Sequence, residues 1–355
     1  MSAEDKINGF IVIDKPKGPT SHQVDYWIRE ILGIRKVGHV GTLDPNASGV
    51  LVMALGNAVK LIDVAHESPK EYVAVMKLHS EFSMEKLQAV FRDFTTEIYQ
   101  IPPMRSAVAR NLRKRRIFEM ELLEVSGRNV LFRTKCESGT YIRTLCTDMG
   151  YMICFGGQMS ELRRTSTGPF TESQCCTLQD VSDAVKLKES GDSSMWSNIF
   201  IPIDYLFRSS PKIVVKNSAI DNISHGSDLF PGGIKAVLGN PKRGDRVALI
   251  SEKNQLLGTG IMLVSYEEIL DVKVVDLDRV LIEPSGAKKD ESKPQVVGSG
   301  GWKGKTRVQG HPGKVHTDFR RSKKGGNTGG FRRRDSRDSR PQGPPDKVRR
   351  VPRKK

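Results

Sequence analysis

Much of this 355-residue sequence's chemistry is bounded by what it does not contain. Its five cysteines, Cys136, Cys146, Cys154, Cys175 and Cys176, are odd in number and form no C-x-x-C pair. Neither a zinc site nor a disulfide framework is therefore indicated, and reduced thiols are the expected state. No P-loop and no G-x-G-x-x-G unit is present, so the usual nucleotide cradles are missing. No cofactor and no metal is expected on these grounds. The longest apolar runs, such as GVLVMALG, fall far short of the roughly 20 residues that cross a bilayer. The start, MSAEDKING, is charged and lacks the apolar segment of a signal peptide. A soluble intracellular protein without membrane contact is the expectation.

Charge is abundant but unevenly placed. The chain has 57 Lys or Arg and 41 Asp or Glu, a net of +16. Of these, 22 basic and 6 acidic residues lie in 286–355, leaving 35 of each in 1–285. The body is neutral and the tail carries the whole excess. That tail is rich in Gly, Arg, Pro and Ser, cannot bury enough apolar surface to fold alone, and is expected to be disordered. A polyanion is its natural partner. As an RNA tether it would lose log affinity with log salt by about 0.7–0.9 per phosphate contact.

The body alternates strands and helices without a regular β-α-β order, which predicts an α+β class. NGFIVIDKPKGPTS begins as a strand and breaks at Pro16, Gly18 and Pro19. Ser21 is placed to cap a helix with Val24, Trp27, Ile28, Ile31 and Leu32 on one face, closed by Gly33. SGVLVMAL and KEYVAVMKLH read as strands, Ser83 opens a helix, and QIPPMRSAV is held extended by its two prolines. RRIFEMELLEV and RNVLFRTKCES form a hairpin around SGR. A helix follows Gly139, and the polar stretch 187–199 reads as an insertion or linker. From Pro211 short strands separated by Gly, Asn and Pro predict a small β-barrel or sandwich. The expected organisation is a mixed-sheet domain over 9–205, a small β domain over 211–284 and the tail over 286–355.

Within GHVGTLDPNASG a single carboxylate, Asp44, stands before Pro45 among glycines. Alone, this reads more readily as an Asp-Pro turn than as a nucleophile. Three other stretches bear on the choice. Tyr72 follows Lys70 at a strand start, where a ring is either core or a surface for stacking a base. Tyr141 and Arg143 lie at a helix entrance, where an arginine opposes the helix dipole unless an acid pairs with it. Arg163 and Arg164 are a solvated face or a phosphate contact.

Together, DKPKGPTSH, GHVGTLDPNASGVL, KEYVAV, IPPMRSAV, SGTYIRTL and LRRTSTGPF resemble, in order and spacing, the TruB family of RNA pseudouridine synthases. The resemblance covers roughly residues 9 to 175. PPMRSAVARNLRKRRIFEMELLE is similar to the dyskerin branch, the archaeal and eukaryotic H/ACA-guided enzymes, and 211–284 to its PUA RNA-binding domain. The resemblance implies that Asp44 is the essential carboxylate, Tyr72 the ring on the target uracil and Arg143 the partner of Asp44. It implies that His39 and Tyr141 line the same pocket; Lys70, Arg163 and Arg164 are further candidate substrate contacts. The reaction is an isomerisation of a flipped-out uridine, which needs a carboxylate and a dry pocket. An Asp–Arg pair about 4 Å apart is on the order of 4 kcal/mol at intermediate dielectric, before desolvation.

Dyskerin-type proteins usually carry an extension before the DKP motif that wraps against the PUA domain. Here the motif begins at Asp14, which implies weaker docking of that domain. The short tail, unlike the lysine-rich blocks of eukaryotic members, points to an archaeal, cytoplasmic enzyme, with the nucleolus as the eukaryotic alternative. Three functions are distinguished by their requirements. A guided synthase acting on ribosomal RNA needs H/ACA guide RNA and small accessory proteins. A stand-alone transfer RNA synthase needs neither, and a noncatalytic RNA scaffold would tolerate loss of Asp44.

Overall fold

The apolar heptapeptide Gly9–Lys15 forms a central strand because every residue from Phe10 to Ile13 is removed from solvent on one face or the other. The computed structural model describes residues 7–102, 109, 111–268 and 272–283. Gly9–Lys15 pairs antiparallel with Ser48–Leu55, which runs parallel to Gly157–Thr167. Antiparallel pairing then continues through Lys70–Leu78, Asn129–Cys136, Arg113–Ser126 and Glu97–Gln100. With the short strands at its margin this makes an 11-stranded mixed sheet among the described residues. The α+β expectation holds, and so does the hairpin around Gly127.

The helices cover this sheet where their apolar stripes dictate. Ser21–Leu32 places Val24 and Ile28 against Ile11, Ile13, Leu51 and Met53. Its cap differs from the expected one. Thr20 is the N-cap, in a reciprocal pair with Gln23, while Ser21 is buried and hydrogen-bonds the backbone of Leu43. Trp27 is also not part of the buried stripe. Met84–Phe94, capped by Ser83, and Ile142–Ile153 pack on the other half of the sheet around Phe132 and Met76.

Residues 187–199 are not a linker. Leu178–Glu189 runs into them, and Ser194–Ile199 is a second short helix. Trp196 and Ile199 are buried against Val181, Ala184 and Ile28. Their apolar spacing outweighs the polar composition around them.

From Lys212–Val215 to Val275–Val280 a five-stranded mixed sheet builds the small β domain. Its core is Ile213, Val215, Val247, Leu249 and Leu257. A second face, with Ala248, Ile250, Leu256 and Leu281, joins Phe10, Val12, Val52 and Phe207 of the first domain in one apolar cluster. Ion pairs ring that cluster: Arg246 with Glu67 at 3.0 Å and Arg279 with Asp63 at 3.3 Å, both acids on Ile62–Glu67. Lys60 donates to the Val280 carbonyl at 3.1 Å. Docking of the small domain, expected to be weak, is thus made through apolar packing and charge. The expected extended loop at QIPPMRSAV falls largely, and the expected disordered tail wholly, outside the described residues.

Candidate active site

Asp44 opens a tight turn, with Pro45 fixing the backbone and the Ala47 amide donating to the Asp44 carbonyl at 3.0 Å. The turn reading and the nucleophile reading therefore fall on one residue and do not exclude each other. The turn lies between Val37–Val40 and Ser48–Leu55, and two glycines make its path possible. Gly41 has φ +73° and Gly49 φ +98°. A Cβ on Gly49 would meet the Arg164 carbonyl at 2.2 Å, so only glycine fits there.

Buried cations hold this loop by its carbonyl groups. Arg164, 1% exposed, donates to Val50 O at 2.7 Å and to Gly41 O at 2.9 Å. Lys15, 0% exposed, donates to Ala47 O and Pro16 O, both at 2.8 Å. The Gly18 amide donates to Pro45 O at 2.8 Å, and Ser21 brackets Leu43. Lys15, Gly18 and Ser21 of the DKPKGPTS segment therefore grip the loop that carries Asp44. Burial, and then the nearby Arg164 charge, push the Lys15 ammonium below its ordinary range, while Asp44 opposes that shift.

Arg143, at the second position of Ile142–Ile153, forms an ion pair with Asp44. The pairing resolves the conflict between a cation and a helix N-terminus. Both side chains are about half exposed, 44% and 51%. Solvent then screens the attraction, so the pair contributes on the order of 1 kcal/mol or less to folding rather than the larger figure expected at intermediate dielectric. The contact fixes the position of the carboxylate relative to the start of Ile142–Ile153.

Tyr72 stands between the two apolar clusters of the first domain. Its phenol is hydrogen-bonded by Arg164 and burial raises its pKa. Arg164 thus ties the ring to the same loop that presents Asp44. Arg143 and Asp44 are in contact as expected, with Tyr72 linked to them through Arg164.

Three expected substrate contacts are corrected. Arg164 is a buried loop anchor, because neighbouring residues on a strand face opposite ways and its side chain turns inward. Arg163 turns the other way, yet its guanidinium is occupied by Asp14 at 2.9 and 3.0 Å and by Glu172 at 2.5 Å. Lys70 is 3% exposed and donates to the carbonyls of His66 and Ser68 and to Ser138 Oγ. Burial and then Arg164 lower its pKa to about 8. His39 is nearly buried, its ring between Asp25 and Thr42. Tyr141 caps Ile142–Ile153 and exchanges backbone hydrogen bonds with the Gln100 side chain.

Lys15 was the residue that motif reading passed over. It shares strand parity with Ile11 and Ile13, both core residues, and that alternation marks it as inward-facing.

Residues 29–142 match the N-terminal domain of TruB family pseudouridylate synthases. Residues 143–208 match the C-terminal domain of tRNA pseudouridylate synthase B, and 211–281 match the PUA domain. A probable tRNA pseudouridine synthase B of Picrophilus torridus is 60% identical over 277 residues, 78% of this chain and 79% of the relative. This chain belongs to the TruB family. It is an RNA pseudouridine synthase, an isomerase, with a C-terminal PUA domain. A TruB relative from Thermoplasma acidophilum, also named probable tRNA pseudouridine synthase B, is 52% identical over 344 residues, 96% of this chain and 90% of that one. Among solved structures, a chain of a Cbf5-Nop10-Gar1 complex is 40% identical with a TM-score of 0.74, covering 80% of this enzyme and 90% of that chain. A chain of an H/ACA RNP bound to a substrate RNA containing 2'-deoxyuridine is 39% identical with a TM-score of 0.70, covering 77% and 85%. The TruB enzyme described here is of this dyskerin type.

Proposed function

We propose that this enzyme is the catalytic subunit of an H/ACA-type ribonucleoprotein, directed by a guide RNA to uridines of ribosomal RNA. The observation that carries the reading is the match in fold and sequence to a chain of a Cbf5-Nop10-Gar1 complex, 90% of whose length is covered. Small accessory proteins and guide RNA are the partners it implies.

In this reading Asp44 is the nucleophile, attacking the sugar or the base of a flipped uridine. The bond between N1 and the ribose breaks, the base turns, carbon 5 bonds to the ribose, and the bond to Asp44 breaks to regenerate its carboxylate. The proton from carbon 5 is released and N1 takes one up, so atoms and charge balance. Arg143 aims Asp44, and Tyr72 stacks on the base, offsetting part of the unstacking cost.

A second reading, a stand-alone transfer RNA synthase, is favoured by the names of the Picrophilus and Thermoplasma relatives. Tritium release from carbon 5 of labelled uridines separates the two. The guided reading expects release from a ribosomal RNA fragment only with guide RNA and accessory proteins, abolished by Asp44→Ala. Release from transfer RNA by the bare protein would replace it with the stand-alone reading. Tight binding with no release from either RNA would leave a scaffold.

A further inference from the structure

Asp25 lies on the inward face of Ser21–Leu32 and is 3% exposed. Two imidazoles face its Oδ2: His39 Nδ1 at 2.8 Å and His22 Nδ1 at 3.4 Å. Its Oδ1 is buried without a hydrogen-bond partner. The two rings meet edge to face, 5.0 Å between centroids. One donor atom from each of the three residues lies within 4.8 Å of the others. An unsatisfied oxygen on a buried carboxylate is costly.

We propose that His22, Asp25 and His39 bind one divalent transition-metal cation of the zinc class. Two imidazoles and a carboxylate are a donor set suited to Zn²⁺ with a fourth position open, and unsuited to Ca²⁺ or Mg²⁺, which take oxygen ligands. A cation there compensates the charge of the buried carboxylate. His22, with 82% of its side chain exposed, provides the route in. The donors are separated by two and by thirteen residues, a spacing that matches no common zinc motif, so sequence reading does not find them.

The cation also reaches the active-site loop. His39 Nε2 lies 3.0 Å from Thr42 Oγ1, two residues before Asp44. When His39 donates its Nδ1–H to Asp25, the neutral ring accepts from the Thr42 hydroxyl at Nε2. When a cation occupies Nδ1, the ring proton moves to Nε2 and the ring donates to Thr42 instead, with no net proton released. Occupancy therefore reverses the direction of a hydrogen bond at the entrance to the Asp44 turn.

The test uses the full reduced chain, stripped with a chelator and dialysed against Co²⁺ or Zn²⁺, with bound metal and visible absorption measured. The expected result is one equivalent of Co²⁺ lost by His22→Ala, giving ligand-field bands without a thiolate charge-transfer band. Binding should weaken in that variant by more than the roughly 10–100-fold that loss of an outer-shell partner costs. Asp25→Asn, which keeps the shape of the side chain, should weaken it likewise. Equal stoichiometry and affinity in wild type and His22→Ala would overturn the proposal, as would a thiolate band assigning the metal to cysteine. So would the absence of bound metal after dialysis.

Discussion

Arg164 and Lys15, beside Asp44, are buried and bound to backbone carbonyls, whereas Arg246 and Arg279, at the junction with the PUA domain, are partly exposed and bound to carboxylates. Arg164 and Lys15 grip Gly41, Ala47 and Val50. Arg246 and Arg279 reach Glu67, Asp63 and Asp278. Removing a buried donor leaves carbonyls unsatisfied in a dry interior, which is costly. An exposed ion pair exchanges readily with water and salt. The contrast teaches where this fold fixes geometry: at the loop that carries the carboxylate, with the junction left to apolar packing and a screened ring of charge. The Asp44–Arg143 pair belongs physically with the second kind although it sits at the first place.

That contrast can be broken in order of expected effect. Asp44→Asn should lower single-turnover tritium release on the order of 10⁴-fold or more. Its urea midpoint should correspond to a stability change within about 1 kcal/mol, because the pair is half exposed. Arg164→Met should destabilise by on the order of 3 kcal/mol or more in urea unfolding, since Gly41 O, Val50 O and the Tyr72 phenol lose their donor together.

Lys70→Met should change the pH dependence of stability. The folded pKa of Lys70, about 8, lies below its unfolded value of 10.5, so the unfolded chain binds more protons between them. Lys70 therefore destabilises the fold below about pH 8, and this penalty is relieved as pH rises toward 10.5. The stability difference between wild type and Lys70→Met should move in favour of wild type across that window, by on the order of 3 kcal/mol. A flat difference would show that Lys70 is neutral already, or solvated. At the junction, Glu67→Ala, which removes the exposed partner of Arg246, should cost about 1 kcal/mol or less in thermal unfolding, and added salt should erase the difference.

Much of this was legible in the chain. Gly33 ended its helix, Ser83 capped one, and the hairpin around Gly127 formed where alternating residues met a turn. Asp44 and Arg143, far apart in sequence, are in contact. What escaped was burial of charge. Composition marks Lys15, Lys70 and Arg164 as polar, and only strand parity indicates which face they take. Arg163 and Arg164 could not both face RNA, being adjacent on Gly157–Thr167. Residues 187–199 misled for the opposite reason, since Trp196 and Ile199 anchor a segment whose other residues are mostly polar.

The central claim is that the Asp44–Arg143 pair serves the reaction rather than the fold. Arg143→Ala tests it most directly, with single-turnover tritium release and urea unfolding measured on one preparation. The predicted result is a rate loss on the order of 10²-fold or more, with stability changed by less than about 1 kcal/mol. An unchanged rate, or a rate loss explained by the fraction unfolded, would contradict it.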